Sequence, residues 1–339
     1  MQEDSGTSRR PELTVDGYVE GVRQGDRSVL ARAITLIESR RSDRQSMALE
    51  TLARLLPATE GASRGGITGV PGVGKSTLID ALGMRLIEQN HRVAVLAVDP
   101  SSSLSGGSIL GDKSRMPRLA AEPRAFIRPS PSAASLGGVA RRTREAMLLC
   151  EAAGYDVVLV ETIGVGQSET VVADMVDFFL VLMLSGAGDQ LQGIKKGILE
   201  LADGVAVTKA DDSADRVKTA LSEYRAAMRY QRPRSPSWRP RVLAVSARTG
   251  QGLDELWALV EEHREALSAT GELEEMRREQ RRRALWRQID ERLLEAFRSH
   301  RSVRQRLEEA EKAVLDGSRT PSQAASELIG AFRAEPSRD

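Results

Sequence analysis

The sequence predicts an α/β fold: a mostly parallel sheet covered by helices, with a helical extension at each end. Three observations carry this expectation. Short apolar runs recur at 66–69, 93–98, 125–127, 157–160, 178–184, 204–207 and 242–245. Stretches of helical length separate most of them, at 76–89, 136–153, 214–229 and 253–267. The runs are continuous rather than alternating, as strands buried on both faces require. Ligands of such a sheet sit beyond the C-terminal tips of its strands.

The elements follow in order. Residues 1–12 are polar and charged without an apolar stretch, and read as a disordered leader rather than a signal peptide. Residues 13–64 read as an N-terminal helical extension. Val29, Leu30, Ala33, Ile34 and Ile37 share one helical face, Leu49, Leu52, Leu55 and Leu56 another, and Pro57 closes it. Residues 65–269 hold the strand–helix alternation. Residues 270–335 return to helices, with stripes at Leu285, Ile289, Leu293 and Ala296 or Phe297, then at Val303, Leu307, Ala310 and Val314. Gly317 ends the second stripe, and Thr320-Pro321-Ser322-Gln323 fits a capping box. These stripes need cover, from the central domain or a second copy of the chain.

Composition excludes several classes. The 49 basic side chains nearly balance 48 acidic ones, so general electrostatic binding to nucleic acid is not expected. Arg277 to Arg283 is arginine-rich, but it precedes an apolar stripe and reads as a solvated or dimer-rim face. One cysteine, Cys150, permits no internal disulfide, and it reads as a core filler in a reducing compartment. With His91, His263 and His300 it makes no metal cluster, which argues against a metallochaperone; His91 reads as the turn before the second strand. The longest apolar run, 178–184, is too short for a membrane span, so a cytoplasmic location is expected.

Gly69-Val70-Pro71-Gly72-Val73-Gly74-Lys75-Ser76-Thr77 satisfies G-x-x-x-x-G-K-[ST] between a strand and a helix. Its glycines let backbone N–H groups turn inward around a phosphate, and the helix N-terminus adds favourable dipole charge. Lys75 is placed to reach the β- and γ-phosphates, and the Ser76 hydroxyl to ligate Mg²⁺. Glu161 stands at the tip of the strand 157–160, in the position of the metal-side acid, with Gly164 placed to sense the γ-phosphate. Its longer side chain either reaches Mg²⁺ through water or polarises the attacking water; a strand-capping glutamate is the plain alternative. Asp99 and Asp112 flank a loop of small residues that reads as a switch segment, where they would hold the ion's water shell.

Thr208-Lys209-Ala210-Asp211 matches the guanine-reading N-K-x-D pattern with Thr for Asn. Asp211 accepts two hydrogen bonds from guanine, which adenine lacks, and the Lys209 stem covers the base. Ser246-Ala247, after a later strand, is the pair that offers a backbone N–H to guanine O6. The expected ligands are therefore GTP or GDP with Mg²⁺.

Several longer segments resemble the MeaB/ArgK-type P-loop GTPases. They are Val98 to Ser102, Gly107 to Lys113, Arg128 to Ser130, Glu161 to Glu169 and Gly188 to Gly197, and the resemblance runs from about 26 to 330. It implies a P-loop NTPase fold and a GTPase chaperone of an adenosylcobalamin-dependent acyl-CoA mutase, methylmalonyl-CoA mutase, that couples GTP binding and hydrolysis to cofactor loading and protection. It also implies a homodimer joined partly through C-terminal helices, and a mobile loop at 189–196. Gln192 and Lys195 would complete the catalytic site there only in the complex. Thr208 and Ser185 depart from the family's pattern. The expected chemistry is in-line attack of water on the γ-phosphate, with Glu161 or Asp112 orienting the water. The alternative is a P-loop kinase acting on a protein or small-molecule acceptor, although no acceptor pocket is legible.

Overall fold

The computed structural model describes residues 13–39, 41–59, 61–98, 115–129, 136–162, 168–185 and 196–334. The apolar runs become strands β1 (Ser63–Gly69), β2 (Val93–Val98), β3 (Ala125–Arg128), β4 (Val157–Thr162), β5 (Phe178–Leu184), β6 (Gly204–Thr208) and β7 (Arg241–Ala244). They form one sheet in the order β3-β2-β4-β1-β5-β6-β7, and every pairing is parallel. All seven C-terminal tips therefore share one edge.

The helices are α1 (Val15–Arg23), α2 (Arg27–Glu38), α3 (Ser42–Leu55), α4 (Lys75–Glu88), α5 (Pro117–Ala121), α6 (Leu136–Ala152), α7 (Ser168–Ala173), α8 (Lys196–Leu199), α9 (Ala214–Arg229), α10 (Leu253–Thr270), α11 (Glu272–Ser299), α12 (Arg301–Leu315) and α13 (Pro321–Ala334). Capping explains how two of them start. Asp26 caps α2 by accepting from the amides of Ser28 and Val29. Thr320 and Gln323 form the anticipated capping box: Gln323 N donates to Thr320 Oγ1 at 3.3 Å and Thr320 N to Gln323 Oε1 at 3.0 Å.

Strand side chains alternate between two cores. Val158 and Val160 face the core built with α1, α2, α3, α6 and α9, which holds Val22, Leu30, Ile34, Met147, Cys150 and Tyr224. Val157 and Leu159 face the other, built with α4, α5 and α10, which holds Ile79, Leu86, Leu119, Leu256 and Trp257. Cys150 is the core filler anticipated, fully buried, and burial pushes its thiol well above the usual range. His91 follows the turn at Gln89 and Asn90, between α4 and β2.

The chain divides into two compact units, residues 1–280 and 281–339. The second has its own small core of Val303, Ala310, Ala324 and Leu328, with Phe297, Leu307, Val314 and Phe332 against it.

One expectation needs correcting. Arg277 is not part of a solvated or rim face: it is 6% exposed. Its Nε donates to Asp177 Oδ1 at 2.9 Å, and its Nη2 to Asp177 Oδ2 at 2.6 Å and Ala62 O at 2.8 Å. Asp177 also accepts from the Arg64 amide, and Arg64 pairs with buried Glu151 at 2.6 Å. The arginine run looked uniform in sequence, but a planar fork with a buried carboxylate opposite satisfies both partners inside the fold. This ionic cluster lies at the N-terminal ends of β1 and β5, the edge opposite the strand tips.

No described helix is long and apolar enough to cross a membrane.

Candidate functional site

At the tip of β1 the chain turns through the glycine-rich loop. Gly69, Gly72 and Gly74 have φ of 154°, 79° and 97°, values that suit glycine. At Gly69 a Cβ would also lie 2.7 Å from Leu182 O of the adjacent strand. Gly74 is the N-cap of α4, so Lys75, Ser76 and Thr77 open the helix with their amides at its positive end.

Lys75 is 9% exposed. Its Nζ donates to Gly69 O at 2.7 Å and Val70 O at 3.3 Å, which folds the ammonium over the loop and leaves one of its three donors for a phosphate oxygen. Burial lowers its proton affinity, Glu161 and Glu169 oppose that, and Arg115 adds to it.

Glu161 points to the α4 side because it continues the alternation of Val157 and Leu159. Ser76 Oγ donates to its Oε1 at 2.9 Å, and the carboxylate is 4% exposed. A hydroxyl and a carboxylate held together at a phosphate loop are hard oxygen donors of the kind Mg²⁺ takes alongside water and phosphate oxygens. Among the described residues there is no cluster of three His, Cys, Asp or Glu side chains that would cage a metal alone. Mg²⁺ sites of this type need none.

Val73, Gly74, Thr77, Thr208, Lys209, Asp211, Ala247 and Arg248 help line a cavity of about 240 Å³ beside the loop. Asp211 Oδ1 accepts from Ser246 Oγ at 2.5 Å, and Oδ2 pairs with Arg248. The Ser246 bond is the main reason the Asp211 carboxyl sits below its usual range. Ser246 is fully buried, and it steers the aspartate from behind while Ala247 lines the cavity. Lys209 is exposed and has φ 55°, a left-handed turn that sends the chain around the cavity.

Thr208 Oγ1 lies 2.8 Å from Val73 O and 3.1 Å from Met183 O, so it ties the phosphate loop to β5 and β6. The structure thus brings the loop, Glu161, Thr208, Lys209, Asp211, Ser246 and Ala247 to one edge of the sheet. Asp99, Asp112, Gly164 and Lys195 lie outside the described residues.

Four residues with roles here were not singled out from sequence. Glu169 is 1% exposed on α7 and acts on Lys75 electrostatically. Arg115 acts on the same lysine, and Arg248 pairs with Asp211. Asp80 of α4, 5% exposed, accepts from Leu119 N at 2.9 Å and Arg118 Nε at 2.8 Å, pinning α5 beside the phosphate helix. The only sequence signal for these was an acid or arginine near a recognisable motif.

The family described as "Methylmalonyl Co-A mutase-associated GTPase MeaB" matches residues 30–302. A "Putative GTPase" of Caulobacter vibrioides is 53% identical over 95% of this chain and 99% of its own length. The "Methylmalonic aciduria type A homolog, mitochondrial" of Mus musculus is 44% identical over 97% of this chain and 82% of its own. Among solved structures, one named "LAO/AO transport system kinase" superposes with TM-score 0.77 at 38% identity, covering 96% of this chain and all of that one (100%).

Proposed function

The chain belongs to the family of methylmalonyl-CoA mutase-associated GTPases that includes MeaB, and from that premise we propose that it hydrolyses GTP with Mg²⁺ as a chaperone of an adenosylcobalamin-dependent acyl-CoA mutase. The observation that carries the hydrolytic part is the Ser76–Glu161 contact at 2.9 Å beside the buried Lys75 ammonium. Those groups fit a magnesium-bound triphosphate. The aspartate-floored cavity next to them fits guanine.

Bound Mg²⁺ would neutralise charge on the phosphate oxygens. Ser76 and Glu161 would hold the ion. The amides of the loop and of the first turn of α4 cradle the phosphates, and Lys75 offers its remaining donor to the developing charge. Asp211 accepts the guanine N1–H and N2–H₂ protons, and the Lys209 stem covers the base. Asp99 and Asp112 are proposed to hold the ion's water shell, Gly164 to sense the γ-phosphate, and Glu161 or Asp112 to orient the attacking water. Lys195 is the cation proposed to arrive with the partner. The chain is proposed to act as a cytoplasmic homodimer whose client is methylmalonyl-CoA mutase, loading and protecting its cofactor. The segment 270–335 would be the dimerisation extension and 13–64 an accessory to the GTPase core.

Calorimetry with Mg²⁺·GDP, followed by phosphate release from GTP, tests the enzyme. Lys75→Ala should lower turnover by at least 10²-fold, and full turnover in that variant would overturn the mechanism. Retention of a B12-dependent mutase on GTP-loaded protein tests the client; recovery in no nucleotide state would sink that part alone.

The kinase named in the structural comparison motivates one rival reading, transfer of the γ-phosphate to an acceptor. Radiolabel from γ-labelled GTP appearing on a protein or small molecule instead of in free phosphate would favour it.

A further inference from the structure

The residue that departs from the guanine-reading pattern has its hydroxyl turned to two carbonyls of the protein itself. Thr208 ends β6, is 4% exposed, and lines the same cavity as Asp211. Its hydroxyl oxygen faces two carbonyls, Val73 O at 2.8 Å and Met183 O at 3.1 Å. Both are acceptors, and a threonine hydroxyl owns one proton. That proton is spent inside the protein, on the phosphate loop or on β5. What remains on Oγ1 is lone pairs, which can only accept.

Guanine N7 is itself an acceptor without a hydrogen. Two acceptors make no hydrogen bond. An asparagine at 208 would differ, because its amide carries two N–H donors: one for a loop carbonyl, one to spare. We infer that Thr208 is a tether of the phosphate loop that leaves the purine N7 unread, so that this protein selects guanine through Asp211 without using N7.

The inference rests on the guanine-nucleotide reading above and deepens it. It assigns the two edges of the base unequal weight. The Watson–Crick edge meets a carboxylate held by Ser246 at 2.5 Å. The inference puts the N7 edge at Thr208, whose donor is already committed to Val73 O or Met183 O. Replacing N7 by C–H should therefore cost this protein little.

The test compares calorimetric titrations with Mg²⁺·GDP and with Mg²⁺·7-deaza-GDP, which differ only at that atom. The wild-type protein should bind both with Kd values within threefold. Thr208→Asn, which supplies the second donor, should prefer GDP over the 7-deaza analogue by about tenfold, the worth of one hydrogen bond. Thr208→Val, which cannot tether the loop, should weaken both ligands by the same factor, and Thr208→Ser should restore them. A wild-type preference for GDP of more than threefold would overturn the inference while leaving guanine binding intact. So would a Thr208→Asn protein indifferent to N7, or a Thr208→Val protein that binds like wild type. If wild-type protein takes up neither nucleotide, the guanine reading falls and this inference falls with it.

Discussion

Gly69 has no room for a methyl group, and the reason combines conformation with space. Its φ of 154° disfavours an L side chain, and the nearest obstacle is the Leu182 carbonyl of a central strand, 2.7 Å from where Cβ would sit. Neither can relax cheaply. Gly69→Ala should cost about 2–3 kcal/mol, read as a lowered urea midpoint at constant m-value. Asp211 makes a different prediction. Its carboxyl is held below its ordinary 3.8 chiefly by the Ser246 hydroxyl. It therefore stays ionised throughout the range from pH 5 to 8, and GDP affinity should show no titration from this group there. Ser246→Ala removes the hydroxyl that aims it, and should weaken GDP by roughly tenfold, as expected for a hydrogen bond to a charged group; an unchanged Kd would contradict the role given to Ser246. These residues were legible in sequence because the phosphate loop and K-x-D have fixed local spacing. The partnership of Ser76 with Glu161 was only half legible: a strand-tip acid pointed to metal, but the contact joins residues 85 positions apart. The role of Thr208 was not, since its acceptors lie 135 and 25 positions away.

At the scale of elements, the strands were read from continuous apolar runs, because burial on both faces leaves no polar positions to alternate. Their order was not readable. Nothing local says that β1 sits between β4 and β5, since that pairing is decided by crossover connections. Nor does a polar side chain inside a helix advertise a distant partner, as Asp80 and Arg277 illustrate. The Arg277 fork should be costly to break. Arg277→Ala leaves Asp177 charged in a site where the arginine side chain is 7% exposed, at a cost of about 3–5 kcal/mol by denaturant titration. Arg277→Met combined with Asp177→Leu should recover much of that loss. His263 on α10 supplies a pH prediction. It is 1% exposed between Phe178 and Trp238, with ring centroids 5.2 and 5.0 Å away, and burial drives its pKa down to about 4. The unfolded chain binds this proton near 6.5 and the folded chain does not, so the imidazole's contribution falls as pH drops from 6.5 towards 4. Asp203 beside it, pushed up to about 6 by burial, acts with the opposite sign below that value. A variant comparison separates them: the stability difference between wild type and His263→Leu should change by about 1.4 kcal/mol per pH unit across that window.

For the whole molecule, the two compact units make different demands on solvent. The unit 281–339 has a small core around Val303, Ala310, Ala324 and Leu328, and Leu285, Trp286, Leu293 and Leu294 are 59%, 56%, 58% and 48% exposed. The stripe anticipated at Leu285 and Leu293 is not covered by the rest of its own unit, which suits the proposed second copy. Leu285→Glu combined with Leu293→Glu should shift sedimentation from dimer to monomer without altering GDP affinity; a wild-type monomer would contradict the assembly. The parallel sheet also separates two kinds of failure. The proposed nucleotide chemistry gathers at the strand tips, while the Arg64, Glu151, Asp177 and Arg277 ions gather at the far ends. Lesions at the tips should yield well-behaved protein that is idle. Lesions at the base should yield protein that works on the bench yet vanishes from a warm cell, so inherited or engineered defects can be sorted by abundance before any assay is run.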